Sequence, residues 1–297
     1  MRIGLQIPHF HYPESTQAIA PWLKEIAQTA EAVGFDSVWV MDHFFQLGLG
    51  TWLSPVEAPM LEGYNTLSYL AGLTQRIKLG LLVGGVIYRH PGILIKTATT
   101  LDVLSGGRSY FGIGAAWYEE EARGLGVPFP PLKERYEQLE ETLLIAKQMW
   151  ADDASAYHGK HFQLEQPLNR PQPINKPHPP IMIGGSGEKK TLRLVAKYAD
   201  ACNISGTFYG PVEEIGRLLG VLKGHCEDVG RPYEEIERTV LDTFDLSDPA
   251  SVPGVIERCR AMANVGVQTV LFNMPHAYTP AIIELVGREI IPAIAEF

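Results

Sequence analysis

Eight short apolar runs, each followed by a stretch of helical periodicity, alternate along this chain of 297 residues, and few folds accept that order. The runs are Ile3 to Ile7, Ser37 to Met41, Leu79 to Val83, Ser109 to Ile113, Ile181 to Ile183, Ala201 to Ile204, a stretch within Arg238 to Leu246, and Gln268 to Phe272. The third is apolar almost throughout, as suits a strand covered on both faces of a parallel sheet. The helical stretches lie near Ile19 to Ala30, Thr66 to Thr74, Pro91 to Leu104, Leu132 to Trp150, Lys189 to Ala199, Val212 to Val229, Val252 to Val265 and Pro280 to Ile294. Pro91 suits a first helical turn, and Gly34 and Gly106-Gly107 suit helix ends. Eight such units predict an α/β fold, a (β/α)8 TIM barrel, in one domain over residues 1–297.

In a TIM barrel the working face is built from the loops that follow the strands. Two of these are insertions: Phe44 to Asn65 after strand two and Gly114 to Pro131 after strand four. Ser205 to Pro211 after strand six is also long, while Tyr157 to Pro180 precedes strand five and reads as an insertion with a small hairpin.

Asp42 and His43, at the end of strand two, are the strongest chemical candidates, because an acid beside an imidazole can move a proton near neutral pH. Asp42 capping its loop and His43 bound to a backbone carbonyl is the plain structural alternative. Gly84 and Gly85 after strand three permit a close approach by a flat ligand, and Arg89-His90 offers charge to an anion. Gly114 opens the strand-four loop, where Trp117 with Glu119, Glu120 and Glu121 can wall a pocket. The run Gly184-Gly185-Ser186-Gly187 leads from strand five into a helix, a pattern that exposes backbone N–H groups to a phosphate. Ser186 also suits an ordinary helix cap. Lys189, Lys190 and Arg193 follow it and serve either an anion or the solvent.

The net charge of −9 argues against nucleic acid or an anionic membrane as a partner. Three scattered cysteines have no metal-ligand or disulfide spacing and fit a reducing cytoplasm, and the remaining histidines form no ligand cluster, so no metal is expected. The N-terminus reads as a strand rather than a signal peptide, and no apolar run reaches the ~20 residues of a membrane helix.

Taken together, Asp42-His43-Phe44, Tyr88-Arg89-His90-Pro91, Thr100-Leu101-Asp102 through Gly107-Arg108, Gly112-Ile113-Gly114-Ala115-Ala116-Trp117 and Ile183 to Gly187 form a recognisable series. The chain resembles the luciferase-like monooxygenase superfamily over essentially its whole length, and within it the coenzyme F420-dependent oxidoreductases. The resemblance implies a barrel holding an isoalloxazine-like ring in its mouth, a small-molecule substrate and a homodimer. It further implies hydride transfer at the deazaflavin C5, with Asp42 and His43 touching the ring, His43 a proton donor or acceptor, and Gly184 to Gly187 holding phosphate. A non-proline cis peptide in the Val83-Gly84-Gly85 stretch would back the ring. Phe44, Phe45, Trp52, Tyr64 and Trp117 would shape an apolar substrate pocket. One departure stands out: sugar-phosphate dehydrogenases of this family carry a glutamate just after the strand-four glycines, where this chain has Ala115. The nearer alternative is an FMN-dependent monooxygenase on the same barrel, and the more distant one a non-catalytic flavin-binding protein.

Overall fold

Eight parallel strands close on themselves in the computed structural model, which describes residues 1–10, 15–48, 55–274 and 279–297. They are β1 (Arg2–Ile7), β2 (Ser37–Val40), β3 (Lys78–Leu81), β4 (Ser109–Gly114), β5 (Ile181–Gly184), β6 (Ala201–Ser205), β7 (Glu237–Thr243) and β8 (Thr269–Asn273). Each pairs with the next, and β8 returns to β1 in the register Gly4↔Leu271, Gln6↔Asn273. The expected TIM barrel is therefore the fold.

Around it lie α1 (Ile19–Val33), α2 (Gly63–Ala71), α3 (Pro91–Leu104), α4 (Glu119–Gly124), α5 (Leu132–Trp150), α6 (Thr191–Tyr198), α7 (Val212–Val229), α8 (Val252–Asn264) and α9 (Pro280–Leu285). Their apolar stripes, such as Leu139, Leu143, Ala146 and Trp150 of α5, are buried against the barrel. The excursion before β5 does contain a small hairpin, with Tyr157 opposite Leu164 and His158 opposite Gln163. Several boundaries differ from expectation: α2 runs Gly63–Ala71 rather than Thr66 to Thr74, and β3 ends at Leu81 rather than Val83. α6 begins at Thr191, not Lys189. The last helix is broken after Leu285 by a π-helical turn over Val286–Ile290, next to Pro292, which has no N–H to continue an α ladder.

Inside the barrel, the N-terminal end is closed by a polar plug. Glu237 accepts hydrogen bonds from Arg2 (2.8 Å), Thr269 (2.7 Å) and Tyr110 (2.9 Å). Above it sits an apolar layer of Trp39, Leu82, Met182, Ala201 and Leu271. Trp39 fits because its neighbour is Gly80, where a Cβ would lie 2.4 Å from the indole ring.

The junction of β3 and β4 is irregular, and it positions the site. Gly80 pairs with Tyr110, but the next pairing is Gly84 with Ile113, so the first strand carries one extra residue, a bulge. At its centre the backbones come so close that a Cβ on Gly112 would stand 1.9 Å from the Leu81 carbonyl oxygen. The peptide bond Leu82–Val83 is cis, so the non-proline cis bond lies at the leading edge of the stretch expected for it.

Candidate active site

At the C-terminal mouth this bulge forms one wall of a cavity of about 380 Å³. Val83 lies against two neighbouring strands only because both lack side chains there. A Cβ on Gly114 would be 3.0 Å from a Val83 methyl, and one on Gly184 would be 2.8 Å away. Val83, Gly84, Gly85, Gly114 and Gly184 therefore present a low, flat surface of backbone and one branched side chain, suited to the face of a planar ring.

Asp42 holds that surface in place from behind. One carboxylate oxygen accepts from the Gly85 N–H at 3.0 Å and from Arg89 Nη1 at 2.8 Å; the other accepts from Arg89 Nη2 at 2.8 Å. Arg89 also donates to Glu62, which caps α2, and its guanidinium stacks over Tyr64 and Phe44. Burial works against the charge of Arg89, but its pairing with Asp42 and Glu62 outweighs this and raises its pKa.

Five residues expected at the ligand stand outside the cavity lining. Arg89 does not line the cavity, because Asp42 and Glu62 capture its guanidinium. Neither does His90, which stands exposed at the N-terminus of α3 with its ring edge-on to Phe162. Phe44, Phe45 and Tyr64 are likewise outside the lining, since Phe44 packs on Tyr88 and Tyr64 is buried beneath Arg89. Trp52 lies outside the described residues.

His43 faces the cavity and is held through Nδ1, 3.1 Å from Glu121 Oε1. Glu121, fully buried on α4, also accepts from the Tyr88 hydroxyl at 2.6 Å and from the N–H groups of Phe44 and Phe45. Burial raises the pKa of this carboxyl, but the hydrogen bonds from His43 and Tyr88, the attraction of His43 and the Phe45 N–H outweigh it, and the carboxyl titrates below its usual 4.5. Tyr88 is pushed the other way, by burial and then by Glu121, and stays a protonated donor. With Nδ1 engaged, the ring nitrogen of His43 left for a ligand is Nε2. Trp117 stacks on Tyr118 and meets the His43 ring edge-on at 5.5 Å, forming an exposed rim.

Beside the bulge, Gly184 to Gly187 continue the wall. Gly185 adopts φ +117°, a conformation that favours glycine, and donates its N–H to the Asn203 carbonyl. Ser186 is not a helix cap, since the N-cap residue of α6 is Lys190; its Oγ is buried with no partner. A sealed hydroxyl without a partner is costly unless a ligand completes it. Lys189, Lys190 and Arg193 face a smaller neighbouring hollow, shared with Glu137 and Glu140, rather than the cavity itself.

The cavity thus gathers Asp42, His43, Val83, Gly84, Gly85, Gly114, Trp117 and Gly184 to Gly187 of the residues named from sequence, and leaves Arg89, His90, Phe44, Phe45 and Tyr64 outside its lining. Glu121, expected only as part of a pocket wall with Trp117, and Tyr88, present only within a motif, organise it from beneath His43, a role the sequence did not assign to either. Three consecutive glutamates after Trp117, favourable in a first helical turn, were the available sign of α4. Among the described residues there is no cluster of side chains that could hold a metal ion, and no helix is long and apolar enough to cross a membrane.

A family model described as luciferase-like monooxygenase matches residues 1–247. The chain is 30% identical over 250 residues to an F420-dependent glucose-6-phosphate dehydrogenase of Kineococcus radiotolerans, covering 80% of this chain and 68% of that one. It is 28% identical over 246 residues to an FMNH(2)-dependent dimethylsulfone monooxygenase of Pseudomonas putida, covering 78% and 64%. The matches span about two thirds of the length of these curated relatives. In fold it is similar to the coenzyme F420-dependent tetrahydromethanopterin reductase of Methanopyrus kandleri, with a TM-score of 0.79, 17% identity and 99% of each chain covered.

Proposed function

Because the chain belongs to the luciferase-like monooxygenase family, we propose that it is an oxidoreductase that uses coenzyme F420 to exchange a hydride with a small organic molecule. The observation that carries this reading is the flat cradle of Val83 and four glycines facing the partnerless Ser186 hydroxyl. A planar deazaflavin fits the first, and a phosphate bearing its side chain fits the second together with the loop Gly184 to Gly187. The F420-dependent relatives support the choice of cofactor.

When bound, the deazaflavin supplies the carbon that accepts or gives the hydride; the protein supplies position and a proton path. Val83, Gly84, Gly85 and Gly114 back the ring. Asp42, saturated by Arg89 and Gly85, positions the bulge rather than carrying a proton. His43, oriented by Glu121, presents Nε2 as the acid or base at the substrate. The sugar-phosphate substrate of the relatives is not carried over, because Ala115 lines the cavity at the position where the family resemblance implies a glutamate for sugar-phosphate dehydrogenases.

A titration of the purified chain with oxidised F420, and separately with FMN, tests the reading. Micromolar or tighter binding of F420 with much weaker FMN is expected. The reverse preference would favour the monooxygenase alternative, to which the dimethylsulfone enzyme lends support. A homodimer in the cytoplasm is part of the same proposal. Ile93 and Leu104 expose apolar side chains on α3, and the three cysteines are free and buried. Sedimentation at twice 32.9 kDa is the expected result for the dimer.

A further inference from the structure

One side chain lining the cavity has no part in the chemistry described so far. Asn203 follows Ala201 of the interior layer by two residues on β6, so it points into the barrel as Ala201 does, and it lines the cavity while only 6% exposed. Its amide is held in one orientation by the neighbouring strand β7. The Thr239 hydroxyl donates its single proton to the Cys202 carbonyl at 2.8 Å, which leaves Thr239 Oγ1 able only to accept. Asn203 must therefore turn its amide nitrogen towards Thr239, and donates to it at 2.8 Å. Thr239 is itself buried and stands behind Asn203, outside the cavity lining. Among the described residues no donor reaches Asn203 Oδ1, so this oxygen is left for whatever occupies the cavity.

Asn203 is also the register partner of Gly184, one of the glycines against which Val83 packs, and so stands at the edge of the ring platform. We infer that Asn203 is a ring-specificity residue, its Oδ1 accepting a hydrogen bond from the imide N–H of the bound isoalloxazine-like ring, with Thr239 as the positioning residue behind it. The match is chemical as well as positional. An imide edge carries one donor between two carbonyls, and Asn203 has its oxygen and one amide hydrogen not committed to Thr239. A ring without that N–H leaves a buried acceptor unpaired, which costs free energy. The inference rests on the proposed function for the presence of the ring on its platform, and not on whether that ring is a deazaflavin or a flavin.

The test titrates deazariboflavin and riboflavin, each beside its imide N-methyl derivative, into the purified protein and follows ring fluorescence. The wild type is expected to bind the N–H ring on the order of tenfold tighter than the methylated one. Asn203→Leu keeps the bulk and removes the acceptor, so the N–H ring loses on the order of tenfold in affinity while the methylated ring is unchanged. Thr239→Val, which frees the amide to turn, should cost the N–H ring alone roughly threefold, and it serves where the leucine variant fails to fold. A loss shared equally by both rings would make Asn203 part of the scaffold and overturns the inference, as does an unchanged affinity for the N–H ring in both variants. Binding of the riboflavin pair alone would overturn the choice of F420, and the same comparison in that pair still decides Asn203. If neither ring type binds, the platform and the inference fall together.

Discussion

Replacing Asp42 by alanine is expected to destabilise the protein by about 3–5 kcal/mol, because it leaves the Arg89 guanidinium buried with half its charge partners gone. For a barrel of this size, that is a fall in Tm on the order of 10 °C, readable by calorimetry. F420 affinity should drop with it, by tenfold or more, because the Gly85 N–H loses its acceptor and the bulge loses its anchor. Asp42→Asn, which keeps one acceptor oxygen, should lie between. The informative contrary result is an unchanged Tm with turnover abolished, which would make Asp42 a chemical participant rather than a positioning one.

Glu121→Gln should separate binding from turnover. The carboxylate takes four hydrogen bonds, from two backbone N–H groups, a phenol and the imidazole. An amide there must turn a donor of its own towards one of those donors, so His43 loses its fixed orientation. We expect kcat to fall on the order of a hundredfold, the usual contribution of a positioned acid or base, while F420 affinity changes little. Stability adds a second readout. Because the folded-state pKa of Glu121 lies below its unfolded value, its contribution is complete above about pH 4.5 and is lost as pH falls through the lowered value. Between pH 6 and pH 3.5 the wild type should therefore lose more Tm than the glutamine variant. Equal acid sensitivity would show that Glu121 is not held ionised by this network.

Periodicity made the barrel legible in the sequence. The bounds of α5 and α7 coincide with those expected, because each is an unbroken amphipathic run introduced by a proline, Pro131 and Pro211. The glycine segments were legible too, since close approaches demand that residue whatever surrounds them. Long-range competition between charges was not. Arg89 reads as a ligand for an anion until Glu62, far back in the chain, is seen to share it with Asp42. Glu119, Glu120 and Glu121 are indistinguishable as letters, yet only the third is buried, because α4 turns that one beneath His43. The extra residue between Gly80 and Gly84 is equally silent in an apolar run, since it appears only against the spacing of the partner strand.

The packing of Val83 into the spaces left by Gly114 and Gly184 has a bearing on how this site can change. Three strands share one volume, so a side chain gained at either glycine must be matched by one trimmed at position 83. Substitutions tried singly at these positions meet a steric wall, whereas paired exchanges that conserve the total volume can pass it. Descent from a common ancestor, or a laboratory library meant to reshape the ring platform, would have to move these positions together, and their identities should covary rather than drift.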